Sequence, residues 1–455
     1  MTTAYACPWI LTPEGWQADC LLKVDKSGRI AAIETSGWQS CDAVMLAGPV
    51  IPGMCNVHSH AHQRLIAGLT GRRKRGESSF WSWREQMYRA VGLLRPDDLT
   101  VLANFLYMEL LEGGYTSNGE FHYAHRLDRS ELIETSQALL EAAGSAGCGL
   151  TLLPVWYRYS GFGRAEPLPE QRPFTLEANA FVALVKRLQA LTAADDHLVI
   201  GMAPHSLRAV DLAELPEVLS ALPGIPVHLH IAEQPAEVAA CLEATGHRPI
   251  EWLFERVAPD RRWCLIHATH ATGAELDMMA KAAVVAGICP TTEADLGDGI
   301  FATRAWLDLG GRLAIGSDSN LVTSAATELR LLEWGQRLES HQRNVLASAE
   351  GGHIGSALWQ QAARDGARAL AQPAGQLIPG CRADFVVLNG RHPLLQGLEP
   401  DSALDSFIFA EQAGMIDAVY VAGNARVTNG SHPDRAALSE KIIQMRQRLQ
   451  QLETR

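Results

Sequence analysis

At 455 residues, 47% hydrophobic and 20% charged, the chain has an ordinary globular composition and enough length for one large domain plus a smaller one. Its formal net charge of −12 argues against nucleic acid as a partner, and no run of 18 or more apolar residues exists to span a membrane. Nine cysteines occur without a CxxC pair and the first residues carry no secretory pattern, which points to reduced thiols in a cytoplasmic protein.

In chain order, residues 1–50 show short alternating runs, 20–24 and 29–33, separated by the turn residues Ser27 and Gly28. The same texture returns at 383–388 and 418–423, within 374–432. Both chain ends are therefore expected to build one small β-sandwich around a central domain, 51–373. In that domain eight apolar runs are expected to end as strands at Val57, Phe121, Trp156, Pro204, Ile231, Ala268, Thr291 and Ser317. Stretches with helical periodicity, such as 97–112 and 235–256, separate them. Eight such repeats predict an α/β fold, a (β/α)8 barrel of the TIM type, with reactive residues at the strand C-termini. One basic run, Arg72, Arg73, Lys74 and Arg75, reads as a solvated loop. The tail, 433–455, places Leu438, Ile442, Met445, Leu449 and Leu452 on one helical stripe, suited to docking on the barrel or on a partner subunit.

The chemistry begins at His58 and His60. On an extended segment, residues i and i+2 point to one side, so both imidazoles can reach one metal ion. The fifth strand ends His228, Leu229, His230, Ile231, Ala232, Glu233. His230 lies deeper toward the strand end and is the expected ligand, leaving His228 as a core or hydrogen-bonding histidine. Asp318, past the eighth strand, can close a site of three histidines and one carboxylate. That donor set suits one zinc ion, with iron as the other option, and leaves a position for water whose pKa falls to about 7. Glu233 can shuttle a proton between this water and a leaving nitrogen. His267, ending the sixth strand, can hydrogen-bond the nucleophile or the developing tetrahedral centre, and Asp318 can take the water's proton.

These motifs resemble the amidohydrolase superfamily. The resemblance rests on Pro52-Gly53-Met54-Cys55-Asn56-Val57-His58-Ser59-His60, on His230 with Glu233, on His267, on Gly316-Ser317-Asp318, and on a returning strand at 380–388. The fourth strand, 200–204, has no lysine to bridge a second metal, and with His230 and Glu233 this looks like the mononuclear deaminase branch. A narrower resemblance, to the formimidoylglutamate deiminases of histidine degradation, is carried by His60-Ala61-His62-Gln63-Arg64, Phe80-Trp81-Ser82-Trp83-Arg84-Glu85, Glu120-Phe121-His122-Tyr123, His205-Ser206-Leu207-Arg208 and 292–301. His62 departs from it, standing where an aromatic residue is expected.

The resemblance implies a small dicarboxylate substrate, N-formimino-L-glutamate, hydrolysed to N-formyl-L-glutamate and ammonia; a homodimer is the expected assembly. A net-acidic protein must hold two carboxylates with a few fixed cations. Arg208 and Arg84 can form bidentate pairs. Tyr123 and His205 can add hydrogen bonds, and Gln63 can meet the formimino group. The alternatives are an aminohydrolase of a purine or triazine ring, whose pocket should stack an aromatic ring rather than offer two arginines, and a metal-free scaffold protein on the same fold.

Overall fold

The computed structural model describes residues 2–35, 42–68, 87–88, 91–127, 131–348 and 351–453. The segments Arg72 to Arg75 and Phe80 to Arg84 fall outside them. The first five strands are β1 (Thr3–Thr12), β2 (Gly15–Val24), β3 (Ile30–Glu34), β4 (Val44–Met45) and β5 (Val50–Pro52). Then come β6 (Met54–Ser59), β7 (Tyr115–His122), β8 (Gly149–Trp156), β9 (Leu198–Ile200), β10 (Ala203–Pro204), β11 (Val227–Ile231), β12 (Trp263–His267), β13 (Val285–Ile288) and β14 (Arg312–Ile315). The last three are β15 (Phe385–Leu388), β16 (Ile416–Val421) and β17 (Asn424–Thr428).

Strands β6 to β14 run parallel in two arcs. Bridges Met202 to Val227 and Ser206 to His230 join the arcs on one side, and Ser59 to Asp318 joins them on the other, closing a (β/α)8 barrel. Burial on both strand faces explains the near-continuous apolar runs. Inside, Val57, Ile266, Val285 and Ala314 pack on Ala367 and Leu370, so the chain leaving the helix Ile354–Ala369 plugs the base. His228 belongs to this plug: its Nε2 lies 2.9 Å from the Ala369 carbonyl oxygen.

Both chain ends form one eight-stranded mixed sheet, ordered β17-β16-β15-β5-β1-β2-β3 with β4 beside β1. Alternation with period two divides its side chains. Val386, Leu388 and Val419 join the barrel core, whereas Phe385, Val387 and Ala418 enclose a second core with Cys7, Cys20 and Leu22. Trp359 clamps sheet to barrel, its buried indole donating to the Pro52 carbonyl at 2.8 Å. The tail helix Arg435–Glu453 buries Leu438, Ile442, Met445 and Leu449 and is fixed to the helix Pro96–Glu112 by Arg435–Glu112 and Arg448–Asp98 pairs.

Three details depart from the sequence reading. Strand β1 is a full partner of β2, although Pro8 interrupts its pattern; the ladder skips Pro8, pairing Cys7 with Cys20 and Trp9 with Ala18. The fourth barrel strand is split at Gly201 and Met202 into β9 and β10. The stretch 235–256 is two helices, Pro235–Thr245 and Pro249–Val257, because Gly246 takes a left-handed cap (φ 77°) and Pro249 restarts the chain.

Candidate metal centre

The end of β6 delivers His58 and His60 beside the turn that follows β14. The Asp318 backbone N–H donates to the His58 carbonyl at 2.9 Å, and the His60 N–H donates to the Asp318 carbonyl at 3.0 Å. Gly316 permits this approach: a Cβ there would sit 2.7 Å from the His58 Cβ. A buried polar seam locks the junction. Asn56 Nδ2 donates to Ser317 Oγ at 2.7 Å, the Ser317 N–H donates to Asn56 Oδ1 at 2.9 Å, and Asn320 Nδ2 donates to the His60 carbonyl at 3.0 Å. Left-handed backbone at Ala232 (φ 50°), His267 (φ 67°) and Asp318 (φ 45°) turns the chain sharply at three strand ends around the cluster.

The imidazoles converge. His58 Nε2 and His230 Nε2 are 2.9 Å apart, and Asp318 Oδ1 lies 3.4 Å from His58 Nε2 and 3.3 Å from His60 Nε2. His60 Nδ1 meets the Phe121 carbonyl at 2.9 Å, and His230 Nδ1 meets the His205 carbonyl at 3.1 Å. Donation from both Nδ1 atoms fixes the tautomer that leaves each Nε2 lone pair free for a cation. Two overlapping donor triads result, His58–His60–Asp318 and His58–His230–His267, all buried. This nitrogen-rich set with one carboxylate fits a single divalent ion of the zinc type. Burial drives the His58 pKa down to about 3 and that of His230 well below its usual value, keeping the rings neutral, as ligation requires.

His267 joins the cluster through its stacked ring, 5.6 Å from that of His230. Its Nε2 lies 3.6 Å from Asp318 Oδ2 and 3.8 Å from Glu233 Oε1, and its Nδ1 lies 3.1 Å from Glu293 Oε1. Burial alone would lower its pKa, but Glu233, Glu293 and Asp318 outweigh that and push it up to about 10. Burial raises the Glu233 pKa to about 7 against the pull of His267. Glu233 is held by the helix that follows it, Pro235–Thr245: the carboxylate of Glu237 accepts from the Ala232 N–H at 3.2 Å and the Glu233 N–H at 2.9 Å.

Of the site residues read from the sequence, His60, Gln63, Tyr123, His205, Arg208, His230, Glu233, His267 and Asp318 line one pocket, with His58 buried beneath them. Arg84 lies outside the described residues. Gln63 Nε2 donates to the Tyr123 hydroxyl at 2.9 Å, and Arg208 Nη1 donates to the Tyr157 hydroxyl at 3.3 Å. His62 is buried against the Tyr123 ring, 4.7 Å between centroids. Sequence reasoning missed Tyr157, which also accepts from Gln171 Nε2 at 2.9 Å, and Glu293, the partner of His267. Both had a signal: each stands one or two residues past a predicted strand end.

A sequence profile described as "Amidohydrolase family" matches residues 50–426. The chain is 44% identical over 440 residues to a formimidoylglutamate deiminase of Pseudomonas aeruginosa, covering 96% of this chain and 97% of that one. Among solved structures, an amidohydrolase from Brucella melitensis superposes with a TM-score of 0.94 at 40% identity, covering 98% and 99% of the two chains. An adenosine deaminase from Xanthomonas campestris with bound zinc shares the fold at a TM-score of 0.83 and 21% identity, covering 99% and 98%. The closed barrel, the buried cluster of histidines and aspartate, and these likenesses agree: the chain belongs to the amidohydrolase family and is a metal-dependent hydrolase.

Proposed function

We propose that this protein hydrolyses N-formimino-L-glutamate to N-formyl-L-glutamate and ammonia, with one zinc ion held by His58, His60, His230 and Asp318. The observation that carries the reading is the placement of a guanidinium, Arg208, in the same pocket as this donor set and Glu233. The likeness to the Pseudomonas deiminase supports it over the full length of the chain. A zinc ion bound there supplies Lewis acidity and a water that loses its proton near neutral pH.

The protein's own groups do the rest. Asp318 accepts the proton of the attacking water. His267, oriented by Glu293 at Nδ1, points Nε2 at the oxygen that attacks the formimino carbon. Glu233 gives a proton to the imine nitrogen as the C–O bond forms, takes the hydroxyl proton of the tetrahedral intermediate and passes it to the same nitrogen as the C–N bond breaks, and is reprotonated by the proton that Asp318 took from water. Water is consumed, the C=NH group becomes C=O, and the nitrogen leaves as ammonia. Arg208 holds one carboxylate, with Tyr123, His205 and Gln63 fixing the rest of the chain, and Arg84 is proposed for the second carboxylate.

One feature favours a second reading. Tyr123, Tyr157, Phe174 and Tyr88 line the pocket with aromatic rings, a surface that also suits a flat purine or triazine. The experiment is ammonia release from N-formimino-L-glutamate by zinc-loaded protein, with Asp318→Asn as the blank. Turnover that falls by about 10³-fold or more in the variant is the expected result. Turnover only with ring amines, unaffected by Arg208→Gln, would favour the second reading. The homodimer and the cytoplasmic location belong to the same proposal, the first checked by sedimentation velocity. No helix among the described residues is long and apolar enough to cross a membrane.

A further inference from the structure

A large cavity lies at the other end of the barrel, where β11, β12 and β14 begin and the helix Ile354–Ala369 crosses beneath them. It measures about 950 Å³ and is lined by Arg261, Arg262, Arg312, Arg364 and Arg368 against one carboxylate, Asp365. These arginines converge in a chain whose net charge is −12. Arg262 pairs with Asp260, and Arg364 pairs with Asp365. Among the described residues Arg261, Arg312 and Arg368 close no ion pair, although Arg312 Nη1 donates to the Ala283 carbonyl at 2.6 Å. Burial, and then the neighbouring guanidiniums of Arg312, Arg261 and Arg364, hold Arg368 below its ordinary pKa. Like charges gathered around an open cavity repel one another weakly through water, and an anion seated among them would turn that repulsion into attraction.

We propose that this cavity binds a small multivalent anion, carrying phosphate or clustered carboxylate groups, on the barrel face opposite the candidate metal centre. Guanidinium forks match both oxyanions bidentately, and several forks aimed into one space select multivalent over monovalent ligands. The volume falls in the range of metabolite sites rather than of a single bare ion. The cavity shares no lining residue with the pocket that contains Asp318, so occupancy leaves the catalytic groups untouched.

The test is calorimetric titration of the metal-loaded full chain with pyrophosphate and, separately, with propane-1,2,3-tricarboxylate at low ionic strength. Three proteins are compared: the wild type, the double variant Arg261→Gln with Arg368→Gln, and Arg208→Gln. Saturable binding is expected in the wild type and in Arg208→Gln, and affinity at least about tenfold weaker in the double variant, with ammonia release unchanged. The tighter probe tells phosphate from carboxylate chemistry. No binding of either probe by the wild type would overturn the proposal. Equal affinity in the double variant would do the same, since it would mean chelation of the metal. Binding lost only in Arg208→Gln would place the anion in the catalytic pocket and also overturn it.

Discussion

The two ends of the barrel handle charge in opposite ways. At the end where the strands finish, ionisable groups are buried and nearly every one meets another: His58, His60 and Asp318 close on one point, His267 bridges Glu293 to Asp318 and Glu233, and Glu237 caps the turn that holds Glu233. At the end where they begin, one arginine, Arg382, is treated likewise. It is 2% exposed, doubly bonded to Asp384, and donates to Ser117 Oγ at 2.6 Å. The cavity arginines are far more open: Arg261, Arg364 and Arg368 are exposed, and Arg262 and Arg312 are half-buried. Burial makes a charge conspicuous only when its partner is removed; exposure lets several like charges coexist at small cost.

Arg382→Ala should break this contrast most severely. It strands the buried Asp384 carboxylate and should cost about 3–5 kcal/mol in a urea unfolding experiment. Next comes Arg208→Gln, on the catalytic end. Loss of a charge-assisted contact to a substrate carboxylate should raise KM about 10–100-fold with kcat changed far less, measured by initial rates of ammonia release. Unchanged KM would remove Arg208 from the substrate site.

Arg368→Gln sharpens the comparison from the other side. With no ion pair to lose and some repulsion to relieve, it should move stability by no more than about 0.5 kcal/mol, in the stabilising direction. A loss of several kcal/mol would show Arg368 to be structural. The smallest effect concerns the pair of His353 Nδ1 and Asp405 Oδ2, 2.6 Å apart but half exposed. Its hydrogen bond to Asp405 raises the His353 pKa above the usual 6.5. The folded state therefore holds the proton more tightly than the unfolded one. The pair's stabilisation is complete below pH 6.5 and fades as pH rises through the folded pKa, a change of about 0.5 kcal/mol or less. His353→Ala should flatten that part of the stability curve.

The barrel was legible because its strands are buried on both sides. The ends expected at Trp156, Pro204 and Ile231 are the ends observed, and the other five lie within three residues. The histidine pair of β6 was legible because period two places both rings on one face. The choice of His230 over His228 followed from depth along the strand, and the structure does turn His228 to the Ala369 carbonyl. Tyr157 and Glu293 were not picked out, because a tyrosine or glutamate after a strand is ordinary until its partner, Arg208 or His267, is placed beside it.

What the sequence determined by itself is therefore local and periodic: apolar runs of strand length, side chains alternating about a strand, the glycine and proline punctuation, and the identity of the metal-type donors. What only the tertiary structure decided is every meeting between segments far apart in the chain. The approach of Gly316 to His58, the Glu293–His267 contact, and the gathering of Arg262, Arg312 and Arg368 around one cavity are of this kind. The reason is physical. Periodicity is set by backbone geometry within a few residues, whereas convergence depends on how the closed barrel brings separate strand ends, and separate strand beginnings, into register.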